Sequence, residues 1–267
     1  MNKDTKPWVR SLLLAWTVAI VVFLYIPMIS VFLASINASR YFRFPIKRFG
    51  TNWYDDTFAA SITGDIHMTS LYVALVVASV ATVLGFFGAL AFARFDWRGR
   101  SIYQKLILLP IFFPQAVLGL ALLQWFTFLG IIPSWETAAF AHMVWIVPIV
   151  TLVISIQVYS FDASMEEAAY DLGATRLQVL REVTIPALAP GLFSGALFAF
   201  LLSWGNFPLS AFTTGADSTV PEWLYSKMTV AYTPMVSVIG SLSVGGSLVI
   251  LFGAWFVLIL WRRHNAE

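Results

Sequence analysis

The chain has 267 residues, of which 59% are hydrophobic and 11% are charged, whereas an ordinary soluble domain carries about 25% charged residues. So few charges argue against a soluble globular enzyme, and so much apolar sequence argues against disorder. The formal net charge of +2 is too small for a nucleic-acid-binding protein of this size, and the absence of cysteine excludes disulfides and thiolate metal sites. The composition therefore indicates an all-α, multi-pass membrane protein.

Six apolar stretches are long enough to cross a bilayer, whose core requires about 20 apolar residues per helix. We predict membrane spans at residues 11–36, 67–92, 105–129, 137–161, 191–213 and 234–261. None of them has a charged residue deep inside, where each would cost roughly 2.5–3.5 kcal/mol. The first stretch is longer than the roughly 7–15 apolar residues of a signal peptide, so we interpret it as a retained span.

The remaining segments are two tails, 1–10 and 262–267, and a long outer loop, 37–66, that precedes the core 67–261. An even number of spans places both tails on the same side of the membrane. Most of the Lys and Arg residues fall on that side, namely Lys3, Lys6, Arg10, Arg94, Arg98, Arg100, Lys105, Arg176, Arg181, Arg262 and Arg263. Because positive charge marks the cytoplasmic side, we predict that both termini are cytoplasmic.

The segment 162–190, between the fourth and fifth spans, is predicted to be a cytoplasmic hairpin of two short amphipathic helices. Ser164 and Glu167 have the spacing of a capping box, which bonds free amides at a helix start. Gly173 suits the end of that helix, and a second helix should cover 174–182. Two prolines, Pro186 and Pro190, should then close the unit before the fifth span.

A capped hairpin lying on the membrane surface would have the same local pattern. It would not account for the small pair Ala168-Ala169, which allows the surface of another protein to approach closely. The run Glu167-Ala168-Ala169, then Gly173, then Val183-Thr-Ile-Pro186 resembles the EAA loop of ABC importer permeases. That loop has the pattern E-A-A, three residues, G, nine residues and I-x-L-P. Here Val183 replaces the first isoleucine, and isoleucine replaces the leucine.

The resemblance extends over the whole chain, because six spans with this loop between the fourth and fifth are typical of type I importer permeases. The chain is most similar to the second permease of spermidine/putrescine-type importers. The resemblance implies that a coupling helix around Glu167–Gly173 docks on a cytoplasmic ATPase, with Ala168, Ala169, Val183 and Pro186 in the same loop. It also implies an ATPase dimer, a second permease subunit or second copy, an extracytoplasmic solute-binding protein, and a bacterial inner membrane. No phosphate-binding motif G-x-x-x-x-G-K-[ST] is present, so no cofactor is expected in this chain and ATP and Mg²⁺ would be bound by the ATPase.

The fifth predicted span contains Ser203-Trp204-Gly205-Asn206-Phe-Pro, where glycine and proline should interrupt the helix. Ser203 and Asn206 can hydrogen-bond a solute and Trp204 can face a cation, so the segment is a candidate solute path. A kinked helix whose asparagine bonds a neighbouring helix would have the same sequence. Polyamine permeases commonly carry acidic residues here and this chain does not. This departure weakens a polyamine assignment. The resemblance implies a polyamine-like or amine-bearing solute, with opines, aminophosphonates and ferric complexes left open.

Two other classes of function are weighed against a permease. An intramembrane enzyme needs a nucleophile and base or a metal site. Away from their ends, the predicted spans hold no carboxylate and one isolated histidine, His142, which we interpret as a packing residue. An ion-coupled secondary transporter normally needs ionisable groups within the membrane, and it is kept as the alternative. Small residues at every fourth position of the fifth span, from Gly191 to Ser203, are predicted mainly to pack helices.

Overall fold

The computed structural model describes residues 6–264, with the side chains of Lys6 and of residues 8–256. The helices of this part, in chain order, are α1 Pro7–Ser35, α2 Asn52–Ala59, α3 Ser61–Ala89, α4 Arg100–Leu106, α5 Leu109–Phe112, α6 Gln115–Phe128, α7 Trp135–Ser160, α8 Ser164–Asp171, α9 Arg176–Val179, α10 Ile185–Trp204, α11 Phe207–Thr213, α12 Val220–Thr229 and α13 Met235–His264. Single π-helical turns at Leu90–Arg94 and Leu180–Thr184 extend α3 and join α9 to α10. Between residues 6 and 264, β structure is limited to one isolated antiparallel bridge, from Asn37 to Phe49.

Several of these helices are long and apolar enough to cross a membrane. Within the described residues they are Trp8–Ser35, Ser61–Arg94, Trp135–Ser160, Arg176–Trp204 and Met235–Phe256. A bent pair, Arg100–Phe112 and Gln115–Phe128, makes a sixth span if its two helices are counted together. The predicted all-helical membrane fold is therefore confirmed, with five or six spans.

The helices that correspond to the second and third predicted spans differ from them in extent and continuity. The second begins at Ser61 rather than at residue 67, and α2 lies within the predicted outer loop. The third is not one continuous helix, because α6 makes an angle of 99° with the helices before it. Phe113, which precedes Pro114, is extended, as steric clash with a following proline ring requires.

The fifth predicted span is displaced towards the N-terminus. The continuous helix runs from Arg176 to Trp204, so Pro186 and Pro190 do not close the hairpin as predicted. Pro186 lies in the first turn of α10, directly after a π-helical turn, where a missing N–H group is tolerated. The helix ends instead at Gly205, and α11 begins after Asn206.

The chain divides into two compact units, one with the residues up to Thr63 and Leu224–Gly246, the other with Gly64–Trp223 and the residues from Ser247 onwards. In the larger unit, α3, α7 and α10 supply the apolar core, which includes Val77, Val150, Ile154 and Leu188.

The small residues of α10 allow close approach to α7. A Cβ atom at Gly191 would lie 2.7 Å from Cβ of Gln157, and one at Gly195 would lie 3.0 Å from Cγ1 of Ile154. Ala199 and Ser203, the next members of the series, are buried as well. These positions therefore pack helices, as predicted from their spacing.

In the smaller unit, hydroxyl groups join the end of α1 to α2 and to the first part of α13. The Tyr54 hydroxyl lies 2.8 Å from Oγ of Ser35 and 3.3 Å from Oγ of Ser241. The loop after α1 is held by buried Asn37, whose carbonyl accepts a hydrogen bond from Nε1 of Trp53 at 3.1 Å.

Candidate functional site

The first helix of the hairpin, α8, begins directly after the fourth span. The carboxylate of Asp162 accepts a hydrogen bond from the backbone N–H of Ser164 at 3.0 Å, and this bond lowers the pKa of Asp162. Ser164 is consequently the first residue of α8 rather than its cap. The predicted capping box at Ser164 and Glu167 is therefore wrong, because an aspartate two residues earlier bonds the free amide first.

Gly173 ends α8, as predicted. Its φ angle is +86°, a conformation that glycine adopts without the steric cost of a Cβ atom. Its N–H group donates to the carbonyl of Tyr170 at 2.9 Å, and the N–H of Ala174 donates to that of Ala169 at 3.0 Å. This pair of bonds is a Schellman motif, which fixes the direction in which the chain leaves α8.

The second helix of the hairpin begins at a capping box that sequence reasoning missed. The N–H of Thr175 donates to Oε1 of Gln178 at 2.8 Å, and the N–H of Gln178 donates to Oγ1 of Thr175 at 3.4 Å. The spacing of threonine and glutamine three residues apart is the local signal for this motif. Both sides of the Gly173 turn are thus fixed by backbone capping.

The tip of the hairpin exposes both charged and apolar side chains. Leu172 is 89% exposed and Leu177 is 72% exposed. Most of the residues of the EAA-like run are accessible: Glu167, Ala168, Gly173 and Pro186 are exposed, while Ala169 and Val183 are half-buried. Exposed apolar side chains next to small and charged residues are typical of a protein-binding surface.

One carboxylate of α8 turns inward instead. Glu166 accepts hydrogen bonds from Nη2 of Arg94 and from Oγ1 of Thr184, and its side chain is 13% exposed. The Arg94 guanidinium also lies 5.0 Å from the centre of the Phe161 ring. Sequence reasoning missed Glu166, since its partners are distant in the chain and it lies beside the motif residue Glu167.

The break between α10 and α11 surrounds a buried histidine of α7. Nδ1 of His142 lies 2.9 Å from Oγ of Ser203, and Nε2 lies 3.0 Å from Oγ of Ser210. The Ser210 hydroxyl donates to the carbonyl of Asn206 at 2.8 Å. Because that bond uses the only hydroxyl proton of Ser210, Nε2 of His142 must be the donor to Ser210, and Nδ1 accepts from Ser203. The prediction that His142 is a hydrogen-bonded packing residue is thereby confirmed.

The three candidate path residues lie at this break in different environments. Ser203 and Asn206 are each 4% exposed, and Oδ1 of Asn206 caps α11 by accepting from the N–H of Leu209 at 3.1 Å. Trp204 is half-buried, and its ring stacks on Phe200 at a centroid distance of 5.9 Å. The predicted interruption of the helix by Gly205 and Pro208 is confirmed, and the buried Ser203 and Asn206 side chains are hydrogen-bonded within the protein, as burial requires.

After the break, α11 packs against α6. A Cβ atom at Gly119 of α6 would lie 3.1 Å from Cδ2 of Phe212 and 3.2 Å from the carbonyl oxygen of Pro208. The broken fifth span is therefore held on one side by His142 of α7 and on another by α6.

The described residues form an all-helical, multi-pass membrane fold with a broken span and an exposed helical hairpin. The chain belongs to the family of binding-protein-dependent transport system inner membrane components, which it matches over residues 81–260. It is accordingly the permease subunit of an ABC importer.

The chain is also similar to individual permease proteins of known transport systems. The putrescine transport system permease protein PotI of Escherichia coli K12 is 31% identical over 262 residues, which cover 95% of this chain and 91% of PotI. The spermidine/putrescine transport system permease protein PotC of Haemophilus influenzae is 29% identical, with coverage of 94% and 96%.

Solved structures have the same fold at lower identity. A chain of a bacterial ABC transporter involved in the import of the acidic polysaccharide alginate matches with a TM-score of 0.68 and 19% identity, covering 97% of this chain and 99% of that one. A chain of the MetNI methionine ABC transporter, in an inward-facing conformation, matches with a TM-score of 0.60 and 18% identity, covering 75% and 98%.

Proposed function

We propose that this permease subunit forms half of the path for a polyamine-like or amine-bearing solute and is driven through the hairpin 162–190. On this proposal the hairpin lies in the cytoplasm and α8 docks on one subunit of an ATPase dimer that binds the ATP and Mg²⁺. The observation that carries the proposal is the capped turn at Gly173, which holds the exposed residues Glu167, Ala168 and Leu172 on a rigid helix. A rigid helix of this kind can transmit a displacement of the ATPase to the spans, as rigid-body switching requires.

The other partners follow from the same complex. A second permease, or a second copy of this chain, would complete the path, and an extracytoplasmic binding protein would meet the outer loops 37–66 and 215–234. The distribution of Lys and Arg supports this orientation, with both termini in the cytoplasm of a bacterium.

The solute class is supported by the names of the relatives, which are permeases for putrescine or for spermidine and putrescine. We place the path beside the break after α10, where Trp204 would face the cationic solute. Ser203 and Asn206, the other two candidate path residues, fix the shape of the break through their hydrogen bonds to His142 and to the start of α11. A tryptophan face attracts ammonium groups, and it could do so without the carboxylates that this chain lacks at the break. Opines, aminophosphonates and ferric complexes are the other candidates for the same path.

The coupling role is tested by Ala168→Trp and Gly173→Val in the reconstituted complex. A bulky ring would block close docking, and a branched residue at a φ of +86° would unwind the turn. We expect ATP hydrolysis stimulated by the loaded binding protein to fall at least about tenfold, the loss expected from about 1.4 kcal/mol of coupling.

Gly130→Val is the matched control. Gly130 has a φ of +70° and, like Gly173, no atom within 4 Å of the position that an added Cβ atom would take, but it ends α6 rather than the hairpin helix. It should strain the backbone to a similar degree and leave the stimulated hydrolysis near the wild-type rate. If both hairpin variants keep full stimulation, the hairpin is not the coupling element.

A further inference from the structure

Both oxygens of the Glu166 carboxylate are used, and each binds a different membrane-spanning helix. Oε2 accepts from Nη2 of Arg94, which ends the π-helical turn after α3, and Oε1 accepts from Oγ1 of Thr184, which ends the π-helical turn before α10. Phe161, the residue that ends α7, packs under the Arg94 guanidinium. One side chain of α8 therefore contacts two membrane-spanning helices directly and a third through Arg94.

The environment of this contact strengthens it. The side chains of Arg94 and Glu166 are 20% and 13% exposed, and Thr184 is buried. Charge-assisted hydrogen bonds shielded from water are stronger than exposed ion pairs. Single π-helical turns are uncommon and frequently mark functional positions. Here the last residues of two such turns, Arg94 and Thr184, both bond the Glu166 carboxylate.

We propose that Glu166 is the positioning residue that makes the hairpin and the cytoplasmic ends of α3 and α10 move as one body. This inference rests on the proposed coupling role of the hairpin and adds the route by which its movement reaches the spans. Glu167, one residue later, points outward for the ATPase, whereas Glu166 points inward for the spans. Of these two adjacent glutamates in α8, Glu167 would thus contact the ATPase and Glu166 would connect the helix to the spans.

The inference is tested by distances between spin labels in the complete importer, without knowledge of the solute. The chain has no native cysteine, so labels can be attached at Met165 of the hairpin and at either Phe198 of α10 or Val83 of α3, all of which are exposed. In the otherwise wild-type chain, both distances should stay the same with and without ATP and vanadate, since the labelled elements move together. In Glu166→Ala the two distances should broaden and change when ATP is added.

Two further variants separate positioning from a general loss of stability. The charge exchange Glu166→Arg with Arg94→Glu should restore the wild-type distances, whereas either exchange alone should behave like Glu166→Ala. Glu182→Ala removes an exposed glutamate from the same π-helical turn as Thr184 and should leave both distances unchanged.

The outcomes are distinct for the two proposals. If Glu166→Ala still co-purifies with the ATPase and its distances match the wild type in both nucleotide states, the positioning role is overturned. If no ATPase co-purifies even with the wild-type chain, the proposed coupling function itself fails.

Discussion

The hairpin and the break in the fifth span are both interruptions of helical structure, yet they are built in opposite ways. The hairpin is held by backbone caps and by one inward carboxylate, and most of its side chains are exposed. At the break, the buried polar side chains of His142, Ser203, Asn206 and Ser210 bond one another or the local backbone. An exposed, rigid element is suited to bind a partner, whereas buried, hydrogen-bonded side chains are suited to keep one shape.

The largest effect on stability is expected at the break. His142→Leu removes the acceptor of the buried Ser203 hydroxyl, which costs about 1–3 kcal/mol when left unsatisfied, and the hydrogen bond to Ser210, which contributes about 0.5–1.5 kcal/mol more. The melting temperature of the purified protein should therefore fall. Combining it with Ser203→Ala should recover part of the loss, because the Ser210 hydroxyl still bonds the carbonyl of Asn206 and no hydroxyl would be left without a partner. An unchanged melting temperature for His142→Leu would show that the histidine does not hold the break.

A smaller loss is expected where α10 packs on α7. Gly191→Ala would place a Cβ atom 2.7 Å from Gln157, and overpacking of this kind costs about 1–3 kcal/mol. Gly245→Ala in α13, where nothing lies within 4 Å, has the same gain in helix propensity and serves as the control. The contact is unimportant if thermal melting does not distinguish the two variants.

The smallest effect is a pH dependence outside the spans. Burial raises the pKa of Glu222 in α12 above 4.5, although hydrogen bonds from Thr214 and Thr219 partly oppose the shift. The folded state then binds the proton more tightly than the unfolded state, so the contribution of Glu222 to stability is full below pH 4.5 and is lost as the pH rises through its folded pKa. Glu222→Gln should therefore flatten the melting temperature as the pH rises from 4.5. Parallel curves for the two proteins would contradict this assignment.

In both the hairpin and the break after α10, the sequence predicted those features that depend only on residues close together in the chain. Gly173 could be predicted as a helix end because the required φ angle suits glycine, and the interruption near Gly205 because glycine and proline disfavour a continuous helix. The start of the fifth span could not be predicted in the same way. A π-helical turn directly precedes Pro186, and the helix continues through Pro190, so the two prolines do not mark the boundary that they suggest.

Contacts between residues that are distant in the chain could not be predicted from the sequence. Glu166 meets Arg94 across 72 positions of sequence, and His142 meets Ser203 across 61, so no spacing within one helix indicates either pair. The capping box at Ser164 failed for a different reason, since Asp162 competes for the same amide. Tertiary contacts and competing helix caps therefore determine the side-chain partners and helix starts that sequence periodicity does not specify.

The central claim is that the tip of the hairpin binds an ATP-hydrolysing subunit, and site-specific crosslinking in the native membrane tests it most directly. A photoactivatable residue at Leu172, which is 89% exposed on the hairpin, should capture the ATPase subunit, and one at Ile132, which is 84% exposed after α6, should not. Capture of the ATPase from Leu172 alone is the result that we predict. Failure to capture it from Leu172, while the complex is intact, would contradict the account.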